Sequence, residues 1–95
     1  MDYLKKIGIS TETIKKITDK YDESVLELID IEQHNVNQLI DYMEKIGIKN
    51  IEGLLLYSIE IFTKNIEEIK NIFEQDNQEW IVKTINEDIT MIDRL

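Results

Sequence analysis

Residues 2–9 read DYLKKIGI and residues 41–48 read DYMEKIGI. Six of the eight positions are identical at a spacing of 39 residues, and Leu4 against Met43 exchanges apolar side chains of similar volume. A self-similar segment at a period near 40 residues constrains this chain more than its composition does. It implies a supersecondary unit that recurs and buries its apolar face against the next copy.

The unit is helical. There is no proline in the chain and there are only three glycines. Gly8 and Gly47 each follow a Lys-Ile pair, which suits a helix end: lysine near the negative pole, glycine at the left-handed cap. Residues 2–7 then read as the end of a leading helix. Ser10 is the expected N-cap of a helix over residues 11–21, with Ile14, Ile17 and Tyr21 inward. Asp22 starts a short segment containing Val25, Leu26 and Ile29, and residues 32–46 form a longer helix burying Val36, Leu39, Ile40, Met43 and Ile46.

After Gly47 the pattern restarts. Asn50 caps a helix over residues 51–60, with Leu55, Leu56 and Ile59 inward and a tight turn or irregular stretch over residues 59–62. Thr63 is expected to cap a helix over residues 64–76 with Ile66, Ile69, Ile72 and Phe73 as its stripe. A polar stretch at residues 75–79 precedes a short helix over residues 80–86 and a last one over residues 88–95 carrying Ile89, Ile92 and Leu95. The expected fold is all-α: one domain over residues 1–95, a short solenoid-like bundle of about two and a half helix–bend–helix units. The units span about residues 10–48, 49–76 and, in part, 77–95, with residues 1–9 a truncated leading helix.

This order resembles the helical repeat of the mitochondrial transcription termination factor family. The residues that carry it are Leu4, Ile7, Gly8 and Ile9, then Ile14 and Ile17, with Val25 and Leu26 at the bend. In the second unit they are Met43, Ile46, Gly47 and Ile48, with Ile61 and Phe62 at the bend and Thr63 opening the next helix. The resemblance spans nearly the whole chain and implies stacked helical units that bind nucleic acid on a basic concave face. This chain lacks the bend prolines and is acidic. For residues 1–40 a ubiquitin-associated-like three-helix bundle is the alternative, since LKKIGIS loosely resembles its loop; the second copy speaks against it.

The net charge of −9 is unevenly placed. Residues 1–20 hold Lys5, Lys6, Lys15, Lys16 and Lys20 against three carboxylates, which leaves the remainder at about −11. An acidic surface repels phosphate, so only the N-terminal lysine corner offers nucleic acid a contact. The Ile, Lys, Asn and Glu bias, with no alanine at all, is that of an AT-rich genome and suggests a bacterial or phage source. No apolar run approaches the roughly 20 residues a bilayer requires, and the N-terminus lacks the regions of a signal peptide. The expected location is cytoplasmic.

Catalytic chemistry finds no support in these residues. His34 is the only histidine, there is no cysteine, and zinc-ligand spacing is missing. The pairs Glu67-Glu68 and Glu87-Asp88 are adjacent on helices and do not face one another. No catalytic, cofactor or metal residue is therefore assigned, and no cofactor is expected. Tyr3 and Tyr42 occupy equivalent repeat positions and read as structural. Trp80 is a candidate partner anchor, although filling the core between units is the simpler expectation. The leading functional expectation is a non-enzymatic module that binds a protein partner, a basic one by charge complementarity. The alternative is nucleic-acid binding through Lys5, Lys6, Lys15, Lys16 and Lys20. Self-association is compatible with either.

Overall fold

Three helix starts fall where the sequence places their caps. The computed structural model describes residues 1–75 and 77–94. Among these the chain is all-α, with seven α-helices, two 3₁₀ helices and no strand. The order is α1 (Asp2–Lys6), α2 (Thr11–Lys20), α3 (Glu23–Ile31), α4 (Gln33–Lys45) and α5 (Ile51–Tyr57). A first 3₁₀ helix (Ile59–Thr63), α6 (Ile66–Glu74), α7 (Gln78–Glu87) and a second 3₁₀ helix (Ile89–Arg94) follow.

Ser10, Asp22 and Asn50 cap α2, α3 and α5, each side chain accepting from the backbone N–H three residues on. Each such bond satisfies a donor that the helix itself leaves open and contributes about 1 kcal/mol. One expected cap moves. Thr63 belongs to the first 3₁₀ helix, and Asn65 caps α6 by accepting from Glu67 N. Asn is as good a cap as Thr or better, and the 3₁₀ turns consume the residues that were expected to open the helix.

The two repeated segments take the same backbone form. Gly8 and Gly47 both have φ of 104°. The amide of Gly8 donates to Lys5 O and that of Ile9 to Leu4 O, at 3.2 and 3.0 Å. Gly47 and Ile48 donate to Glu44 O and Met43 O, at 3.1 and 3.0 Å. This crossed pair of bonds needs a residue in the left-handed region, which only glycine occupies without strain. The next amide is also matched. Ser10 N donates to Glu52 Oε1 at 3.0 Å, and Lys49 N, 39 positions on, donates to Asn86 Oδ1 at 2.9 Å. Asn86 Nδ2 returns a bond to Gly47 O at 3.0 Å. In both copies a side chain from a following helix satisfies the backbone just past the Gly-Ile step.

The copies differ at their bends. After α2 the chain forms α3, a helix of nine residues; after α5 it forms only the first 3₁₀ helix. Tyr21, at the end of α2, donates to Leu56 O at 2.8 Å and accepts from Ile59 N at 3.4 Å. Asn35 on α4 donates to Phe62 O and Lys64 O. These bonds hold the broken backbone of residues 56–64, so the expected helix over residues 51–60 stops at Tyr57.

One apolar cluster runs through the described residues, from Leu4 on α1 to Ile85 on α7. Phe62 and Phe73 are its largest fully buried side chains, and α4 contributes Val36, Leu39, Ile40 and Met43. On α5 the inward face is Ile51, Leu54 and Leu55; Leu56 is half-buried. Of the remaining expected core residues, Ile14, Tyr21, Val25, Leu26, Ile46, Ile66, Ile72, Ile89 and Ile92 are half-buried against the cluster. Leu95 and Asp76 lie outside the described residues.

Candidate functional site

The five N-terminal lysines do not form one free patch. Lys5 and Lys6 are exposed at the end of α1, and Lys15 is exposed on α2. Lys16 pairs with Glu12 one turn earlier, at 3.4 Å. Lys20 donates to Leu56 O, and its ammonium lies 5.2 Å from the Tyr21 ring centroid. The Lys16–Glu12 pair is exposed and therefore weak, whereas Lys20 is tied to the α5 break itself.

Tyr3 and Tyr42 are both half-buried. Tyr3 Oη donates to Ile29 O at 2.7 Å, and burial, with the Asp30 carboxylate adding to it, pushes its phenol pKa well up. Tyr42 packs edge-on against Phe73 with centroids 6.3 Å apart, and burial raises its phenol pKa too. His34 is exposed on α4. No group of three or more metal-ligating side chains gathers among the described residues, and no helix there is long and apolar enough to cross a membrane.

Trp80 does not fill the core. It sits in the first turn of α7 with 59% of its surface exposed, while Ile81, Val82 and Ile85 take the inward positions. The reason is register: Asn77 caps α7, which directs residues 81, 82 and 85 inward together and leaves residue 80 outside that stripe.

The surface that sequence reading missed is on α3. Val25, Leu26 and Ile29 form its inward stripe, and Leu28 and Ile31 fall on the other side at 43% and 78% exposure. They are three apart and therefore neighbours on the helix surface. Glu27 stands four residues before Ile31, and Glu23 four before Glu27, both exposed. Residues 21–44 contain seven carboxylates and neither lysine nor arginine. Of those carboxylates Asp30 pairs with the N-terminal ammonium at 2.9 Å and Asp41 with Lys45 at 2.8 Å. Single exposed aliphatics are ordinary, but an adjacent pair in so acidic a stretch is not. Its sequence signal was the remainder left once 25, 26 and 29 had been assigned inward.

Comparison with protein-family models, curated proteins and solved structures finds no match to this chain.

Proposed function

We propose that this protein is a non-enzymatic interaction module that binds a basic protein partner through the outer face of α3. The observation that carries the reading is the exposed pair Leu28 and Ile31 beside Glu23 and Glu27, in a stretch with no cation of its own. The aliphatic pair supplies apolar area to bury: Ile31 most of the roughly 1.5–3 kcal/mol of a fully covered side chain, and Leu28, already more than half covered, less than half of it. The carboxylates steer a basic surface onto it and disfavour acidic or phosphate-bearing competitors. Nucleic-acid binding through the lysine corner has less to rest on, because residues 21–95 carry about −11 and Lys20 is bonded to Leu56 O.

The test is capture from nuclease-treated lysate of the native host with three baits: wild type, L28S/I31S, and K5E/K6E/K15E. The expected result is a basic protein retained by wild type and by the lysine variant, released at high salt, and lost with the α3 variant. Recovery of nucleic acid from untreated lysate, abolished by the lysine variant alone, would overturn the reading in favour of the alternative.

A further inference from the structure

The only tryptophan and the only arginine of the chain line the same cavity. It lies where α7 meets the second 3₁₀ helix, has a volume of about 230 Å³, and is bounded by Trp80, Ile81, Thr84, Ile85, Met91 and Arg94. Ile81 and Ile85 are buried, and Trp80 forms an exposed wall. The Thr84 hydroxyl donates to Trp80 O at 2.8 Å, so the walls offer a ligand apolar contact and no spare hydroxyl hydrogen.

Arg94 is, among the described residues, the single charged group in this lining. Among the described residues no carboxylate lies within ion-pairing distance of it. Asp88 Oδ1 accepts from the hydroxyl and backbone of Thr90, and these bonds, with a smaller contribution from the Arg94 charge, hold its carboxyl pKa below the usual range; Asp93 accepts from Tyr57 Oη. A guanidinium presents a planar fork of donors that matches a carboxylate in bidentate fashion. The volume is smaller than the roughly 300–1,000 Å³ of pockets that take drug-sized ligands or cofactors. It suits one compact apolar group.

We propose that this cavity is a binding site for a small apolar monocarboxylate, its hydrocarbon or aromatic body against Trp80, Ile85 and Met91 and its carboxylate on Arg94. The site is independent of the α3 surface and stands or falls separately from it. Trp80 makes the test direct, because the indole fluorescence of the whole protein comes from one wall of the cavity. The probes are 3-phenylpropanoate and its neutral analogue 3-phenylpropanamide, titrated against wild type and Arg94→Gln. Arg94 is exposed, so the variant should keep the wild-type circular dichroism.

The expected result is a saturable fluorescence change with the acid, about tenfold or more weaker with the amide, and equal weak binding of both by Arg94→Gln. Absence of saturation with the acid overturns the proposal. So does equal affinity of wild type for acid and amide, or undiminished acid binding by Arg94→Gln.

Discussion

Glu52 shows how much one side chain can hold at a seam. Its Oε1 accepts from the Ser10 amide at 3.0 Å and the Ser10 hydroxyl at 2.6 Å, joining the cap of α2 to α5. The Ser10 hydroxyl first, then Thr13 and the Ser10 amide, draw its carboxyl pKa below the usual range. A carboxyl pKa depressed by folding contributes stability that is present above its unfolded value, near 4.3, and is lost as pH falls through the folded value. Urea unfolding of wild type and Glu52→Gln should therefore differ at neutral pH, and the gap should close as pH falls from the ordinary carboxyl range through the depressed folded-state value. A gap that persists in acid would assign the effect to packing. Tyr21 offers a second residue-scale test. Tyr21→Phe removes the donor to Leu56 O and the acceptor of Ile59 N, for an expected loss of about 1–2 kcal/mol. Thermal unfolding should show it as a fall in Tm of several degrees.

At the scale of elements, the Gly-Ile steps define helix ends in both copies, and their cost of substitution follows from backbone form. A Cβ at Gly8 would meet nothing within 4 Å, and one at Gly47 only Val82 Cγ1 at 3.4 Å. With space available in both places, Gly8→Ala and Gly47→Ala should each lose about 1–2 kcal/mol from the positive φ alone. Equilibrium unfolding that shows either change to be neutral would contradict the cap geometry. These ends were legible because lysine, isoleucine and glycine stand in the order a helix terminus requires. The caps Ser10, Asp22 and Asn50 were legible for the same local reason. The bend after α5 was readable only as an irregularity. Nothing between Leu56 and Lys64 is a proline or glycine, and the break is held by Tyr21 and Asn35, which are distant in sequence. The expectation that Trp80 fills the core failed because apolar character says that a residue seeks burial, whereas register within α7 decides which residues obtain it. Leu28 and Ile31 escaped notice because a nine-residue helix rich in apolar side chains has more of them than its inward stripe can use.

At the scale of the whole molecule, the shared core and the proposed docking face draw on different residues. The core draws on nearly every helix, whereas Leu28 and Ile31 stand outside it. The double change L28S/I31S should leave unfolding within about 1 kcal/mol of wild type, about 0.5 for each surface substitution. Reversal of Lys5, Lys6 and Lys15 should leave partner binding unchanged, since none of the three lies on α3. The most direct measurement is calorimetric titration of the captured partner into wild type and L28S/I31S at low and high salt. The account predicts a basic partner whose affinity falls at least about tenfold in the variant, equivalent to 1.4 kcal/mol or more, and weakens with salt for wild type. Equal affinity for the two proteins, with no dependence on salt, would contradict it.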